Sequence, residues 1–172
     1  PVITHRIYRE CTIGRAKAHL ETTANELNDE LTSVNGEALI SVNKALVTQA
    51  SAAIPVVPLY ISILFKKMKE KGTHEDCIEQ MQRLVCERLY TNDGRDNEGR
   101  IRMDDWEMED DIQKAVLDVW ENVTTDNLSS ETDIDGYMRC FYQLFGFGLD
   151  GLDGVDYDTP VKIDLAIPSI DA

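Results

Sequence analysis

Behind Thr12, apolar residues recur at steps of three and four: Ile13, Ala16, Leu20, Ala24, Leu27 and Leu31. They share one face, so the pattern predicts an amphipathic helix of about five turns with Thr12 as its N-cap. Gly36 punctuates. Glu37-Ala38-Leu39-Ile40-Ser41-Val42 then reads as a short buried strand, followed by a loop through Asn43 and Lys44. From Ala45 to Lys71 the chain is apolar and helix-like, with Pro55 and Pro58 near its beginning. Proline is tolerated in a first turn, so the long helix is expected to start near Pro58 and to stop at Gly72.

Thr73-His74-Glu75-Asp76 resembles a capping box and should open a helix to Tyr90, with Ile78, Met81, Leu84, Val85 and Leu89 on one face. A polar turn region over 91–100 leads into Arg100-Ile101-Arg102-Met103, a short strand or edge segment. Asp104, with Glu107 three residues on, reads as the next cap. Met108, Ile112, Ala115, Val116 and Val119 would form the buried stripe of a helix ending near Val123. Thr132 to Asp135 repeats the capping pattern ahead of a helix through Tyr137, Phe141 and Leu144 to Gly146. Residues 147–172, rich in Gly and Asp, are expected to wrap the surface. The outline is mainly helical with one clear strand, and a strand needs partners. The remaining strands are therefore expected in chain outside this segment.

The 172 residues, 42% of them hydrophobic, suffice for one domain with a real core, or for a piece of a larger one. The longest apolar stretch, Ile54 to Phe65, contains two prolines and falls short of the ~20 residues that a membrane-spanning helix needs. The net charge of −15 is asymmetric: 11 bases balance 11 acids over residues 1–90, whereas residues 91–172 hold 6 bases and 21 acids. That half repels a polyanion, and nucleic acid is excluded as an expected partner. Cys11, Cys77, Cys86 and Cys140 show no CxxC spacing and read as free thiols of a reducing compartment. A mitochondrial matrix or cytoplasmic location, without secretion, is the expectation. Pro1 in place of Met suggests a cut or processed end.

Several acidic and histidine motifs fail on spacing. An EF-hand loop over the polar turn needs Gly at position six; placing Gly99 there puts Gly94 at one, and placing Asp93 at one puts Glu98 at six. Asp150, Asp153, Asp156 and Asp158 match no ligand pattern, and His5, His19 and His74 form no HxxxH, so no metal is expected. The sequons at Asn122 and Asn127 read as chance. Tyr8 and Lys17 remain. A phenol is a poor acid near neutral pH until a nearby ammonium stabilises its anion, after which it can support a developing oxyanion. Nine-residue Tyr/Lys spacing alone is common, and by itself reads as structural.

The residues around the pair change that reading. Ile7-Tyr8-Arg9-Glu10-Cys11-Thr12-Ile13-Gly14-Arg15-Ala16-Lys17 resembles the active-site segment of the long, single-chain trans-2-enoyl-CoA/enoyl-acyl-carrier-protein reductases, which carry Tyr, eight residues, then Lys. Ser41-Val42-Asn43-Lys44-Ala45-Leu46-Val47-Thr48-Gln49-Ala50-Ser51, Gly72-Thr73-His74-Glu75 with Ile78-Glu79-Gln80, and Gly136-Tyr137 with Leu144-Phe145-Gly146-Phe147 agree in the same order. Cys11 departs from the family's usual Gly. The resemblance implies an α/β fold, of which residues 1–172 would be the C-terminal, mostly helical portion of one Rossmann-like reductase domain. Its parts would be a Tyr/Lys segment at 7–17, a cofactor loop at 43–51, helices over 58–146 and the acidic tail.

The implied reaction is NADH-dependent reduction of the trans-2 double bond of an enoyl-CoA or enoyl-ACP thioester. Tyr8 would stabilise or protonate the enolate, Lys17 would hold the nicotinamide ribose, and Leu46, Val47 and Thr48 would meet the nicotinamide carboxamide. No GxGxxG loop in a strand-to-helix setting is present: the one such spacing, Gly146-Phe147-Gly148-Leu149-Asp150-Gly151, follows a predicted helix. An N-terminal dinucleotide-binding portion, or a larger assembly, is therefore the expected partner. The competing expectation is a non-catalytic structural subunit descended from such a reductase.

Overall fold

The computed structural model describes residues 1–149; the tail from Asp150, with Asp153, Asp156 and Asp158, lies outside the described residues. The chain enters through α1 (Val2–Arg9), and Tyr8 lies within this helix rather than ahead of the next one. α2 (Thr12–Leu31) has Cys11, not Thr12, at its N-cap. Cys11 is in extended backbone (φ −101°, ψ −171°), so its departure from Gly places no side chain in a left-handed turn. Gly14 is where glycine is required. A Cβ there would stand 2.0 Å from the Arg9 carbonyl oxygen, so its absence lets α1 and α2 meet. The predicted apolar stripe of α2 is largely uncovered by the described residues, with Leu20 and Leu27 exposed. Periodicity identifies the apolar face; it does not supply the cover.

β1 is two residues, Ser41–Val42, rather than six. Ala38, expected in the strand, instead exchanges both backbone bonds with the Asn28 side chain, at 2.7 and 2.9 Å, which satisfies its polar groups without a ladder. A partner strand does lie inside the segment: β2 (Ile101–Arg102) pairs in parallel, Ser41 opposite Ile101 and Val42 opposite Arg102. α3 (Gln49–Ala52) is a single turn closed by reciprocal bonds between Thr48 and Ser51. α4 (Val57–Lys71) starts at the prolines and stops at Gly72, in left-handed backbone (φ 79°), as the sequence pattern predicts.

α5 (Cys77–Arg83) widens into a π turn over Leu84–Arg88 instead of continuing to Tyr90. Its capping box is Asp76 with Glu79, not Thr73 with Asp76, because the Thr73 N–H is committed to closing α4 on the Met68 carbonyl at 2.9 Å. The predicted buried face is also turned: Ile78 and Val85 are exposed, whereas Gln80 and Arg83 are buried. Arg83 explains the reversal. It bonds the buried Glu75 twice (2.6 and 2.9 Å), donates to Asp105 (2.9 Å) and the Met103 carbonyl (2.8 Å), and stacks on Trp106 at 4.0 Å. With these partners the guanidinium can occupy the interior.

α6 (Asp110–Trp120) begins later than the Asp104 cap implied, with Glu109 at its N-cap; Glu107 precedes the helix and is buried. Met108, assigned to the buried stripe, is exposed, while Ile112 and Val116 are buried as expected. α7 (Leu128–Glu131) is one turn. α8 (Ile134–Gln143) is capped by Asp133, whose carboxylate accepts the Gly136 N–H at 3.2 Å. α4 packs against both α6 and α8. Tyr60, Ile61, Ile63, Leu64, Phe65 and Met68 are each at most 2% exposed, so α4 is buried almost all round, as a core helix must be.

Candidate active site in a cleft beside the short sheet

A cleft of about 850 Å³ opens where α1, α2, β1 and the segment after β2 converge. Tyr8 and Lys17 both line it, as do Leu46 and Thr48. Tyr8 is half-buried with its ring against the hydrophobic core, whereas Lys17 is exposed one helix further on. Among the described residues, neither the Tyr8 hydroxyl nor the Lys17 ammonium has a hydrogen-bond or ion-pair partner. Val47 differs from its neighbours: its side chain belongs to the core, and it does not line the cleft.

The loop holding these residues is fastened by Ser51. Its hydroxyl reaches the Leu46 and Thr48 carbonyls (3.0 Å each) and accepts the Thr48 N–H (2.9 Å), while Thr48 Oγ1 accepts the Ser51 N–H (3.0 Å). The Val47 amide and carbonyl have no partner among the described residues. Of the three loop residues, Val47 thus offers unused backbone, whereas Leu46 and Thr48 have already committed groups.

Three cleft residues were not singled out from the sequence: Lys44, Tyr60 and Glu107. Glu107 is 3% exposed; one carboxylate oxygen accepts the Ala45 N–H at 2.7 Å and the other the Tyr60 hydroxyl at 2.6 Å. Burial pushes its carboxyl above the usual range, opposed by these two bonds and by the charge on Lys44. Burial and the neighbouring Glu107 charge likewise push the Tyr60 phenol up. Among the described residues, Lys44, 2% exposed, reaches only the Ala45 carbonyl (3.3 Å) and the face of Phe65 (5.1 Å), and burial lowers its pKa. The available signal was local: Lys44 and Glu107 are charged residues set among large apolar neighbours, Val42 and Leu46 for one and Trp106 and Met108 for the other.

Arg100 and Arg102 also line the cleft, but carboxylates hold them. Arg100 pairs with Asp96, Glu98 and Glu21 at 2.9, 2.9 and 3.2 Å, and Arg102 with Asp104 at 2.6 Å. Among the described residues no cluster could hold a metal, and no helix is long and apolar enough to cross a membrane.

Comparison with known proteins identifies the family. Residues 1–90 match the family described as trans-2-enoyl-CoA reductase catalytic region, and residues 95–161 match the enoyl reductase FAD binding domain. The enoyl-[acyl-carrier-protein] reductase [NADH] of Coxiella burnetii is 61% identical over 99% of this chain and 42% of its own length. The trans-2-enoyl-CoA reductase [NADH] of Clostridium perfringens is 55% identical over 95% of this chain and 41% of its own. Crystal structures of trans-2-enoyl-CoA reductase superpose closely. The Clostridium acetobutulicum protein in complex with NADH has a TM-score of 0.83 at 49% identity, covering 90% of this chain and 39% of that one. The Treponema denticola protein in complex with NAD has a TM-score of 0.81 at 55% identity, covering 88% and 38%. The chain belongs to the trans-2-enoyl-CoA reductase family. It has the fold of the mostly helical C-terminal part of these Rossmann-type α/β reductases, and spans about two-fifths of their length.

The flavin in the second family description finds no seat in the described residues. The Gly-rich run that begins at Gly146 follows α8 rather than a strand, and Arg100 and Arg102, which could face a pyrophosphate, are neutralised by carboxylates. The nicotinamide end of NADH fits better. An unpaired ammonium, an unpaired phenol and an unengaged backbone segment belong to one cleft and its loop.

Proposed function

We propose that this chain forms the catalytic wall of an NADH-dependent trans-2-enoyl-thioester reductase, acting with an N-terminal dinucleotide-binding portion such as the remainder of its relatives' length. The observation that carries the reading is the unpartnered Tyr8 and Lys17 lining one cleft with the Leu46–Thr48 loop. When bound, NADH supplies hydride to C3 of the enoyl thioester. Tyr8 then hydrogen-bonds the thioester oxygen as negative charge develops there, and can supply the proton that the enolate needs. Lys17 holds the nicotinamide ribose. Val47 offers its free backbone amide and carbonyl to the carboxamide. The core behind Tyr8 keeps its ring in place, so the phenol meets the substrate without reorganisation.

Tyr8→Phe in the full-length protein tests the assignment, because it removes one hydroxyl and keeps the ring. Turnover of crotonyl-CoA with NADH should fall by about 10²-fold or more at unchanged melting temperature. Unchanged turnover would overturn the reading. The alternative of a non-catalytic subunit gains no support from the cleft, since a scaffold has no use for a phenol and an ammonium that line one cleft without partners among the described residues.

A further inference from the structure

We propose that Glu107 is a positioning residue for the cofactor-facing loop: it ties the start of the Lys44–Thr48 segment to the core helix α4 and thereby sets where that backbone meets the nicotinamide. The inference rests on the reductase reading above. Its basis is the shape of the hydrogen-bond network. Ser51 ties the loop locally at Leu46 and Thr48, on both sides of Val47, but among the described residues no local bond of that kind reaches the Ala45 amide ahead of them. The upstream anchor comes from 62 residues away, where Glu107 accepts the Ala45 N–H (2.7 Å).

The anchor is itself held. Tyr60 of α4 donates to the second oxygen (2.6 Å), and Gln113 of α6 donates to both the Tyr60 oxygen (3.2 Å) and the Glu107 carbonyl (2.8 Å). On the other side, Arg83 bonds Asp105 and the Met103 carbonyl and stacks on Trp106, which clamps the residues leading into Glu107. Lys44 contributes the opposite charge. Between the two tethers, Val47 keeps its backbone groups unused. A loop that must present free backbone groups to a ligand is most precise when it is fixed on both sides of them by groups that cannot move.

The test uses the full-length reductase with Glu107→Ala, Glu107→Gln and Tyr60→Phe, reading NADH Kd by fluorescence titration alongside KM and kcat with crotonyl-CoA. Glu107→Ala should raise Kd and KM for NADH about tenfold or more, leave the KM for crotonyl-CoA within about twofold, and change kcat little. Glu107→Gln should restore NADH affinity to within about threefold of wild type, because its carboxamide oxygen can still take the Ala45 N–H while its NH2 meets the Tyr60 oxygen. Tyr60→Phe should raise the Kd about threefold; if Glu107→Ala fails to fold, this variant carries the test. Unchanged NADH affinity in whichever of these two variants folds overturns the inference, as does a loss of kcat at constant KM, the pattern of a merely structural role. Wild-type protein that binds NADH but reduces no enoyl thioester removes the proposed reaction and leaves the anchor to be decided by Kd. Wild-type protein that binds no NADH overturns both.

Discussion

Among the described residues, His74 keeps a ring nitrogen buried without a partner and sets the ring edge-on to Phe65 at 4.5 Å. Burial, then the charges of Lys44 and Lys69, pull its pKa down to about 4 from the ordinary 6.5. The folded ring is therefore neutral where the unfolded ring takes up a proton, and stability is lost as pH falls through the window from 6.5 to about 4. With allowance for solvent screening of a partly exposed ring, the loss is about 1 kcal/mol. Urea denaturation of wild type and His74→Phe near neutral pH and at about pH 4.5 should show wild type losing this much more than the variant. An equal acid loss in both proteins contradicts the assignment. Single residues also mark the reach of the sequence. Tyr8 and Lys17 could be picked out as candidates because a long local motif surrounds them. Lys44 and Glu107 leave only the local trace of a charge among apolar neighbours, and their roles emerge only through partners such as Tyr60, which the sequence leaves far away.

Among the elements, α4 was legible nearly to its ends, since proline and glycine dictate backbone at its two termini and its middle is apolar throughout. α5 was not. Its apolar stripe is genuine, but a satisfied guanidinium took the interior slot, and helical periodicity cannot weigh an ion pair against a valine. The strand after Gly36 failed similarly, through an asparagine side chain that satisfies backbone groups in place of a neighbour. The junction of α1 and α2 carries the clearest element-level prediction. Gly14→Ala would drive a Cβ into the Arg9 backbone, so the two helices must part. A loss of about 2 kcal/mol in thermal or urea denaturation is expected, together with reduced turnover, since Tyr8 and Lys17 stand on opposite sides of that junction. Wild-type stability in the variant would show that the helices separate at little cost.

For the whole molecule, the cleft wall draws on both family regions: Tyr8, Lys17 and Lys44 from residues 1–90, and Arg100, Asp104 and Glu107 from beyond residue 95. Among the described residues, neither region shows a Gly-rich loop between a strand and a helix, the setting that binds a cofactor's phosphates. Residues 1–172 alone should accordingly bind NADH at least about 100-fold more weakly than the same chain joined to the N-terminal portion of its relatives, a difference of ~3 kcal/mol that fluorescence titration would resolve. Comparable affinities would mean that this chain carries a phosphate site of its own. The mostly helical outline was legible from pattern; the cleft was not, because it exists only where distant segments meet.

The parallel pairing of Ser41 with Ile101 also has a consequence in time. Contacts separated by sixty residues require closure of a long loop, and that entropic cost delays them relative to the turns within α2 or α4. During synthesis, the strand that carries the cofactor loop leaves the ribosome well before the segment that will tether it. The helices can be in place while the binding wall is still unmade, so the acquisition of cofactor affinity should trail the acquisition of helical signal when the denatured protein is returned to native conditions.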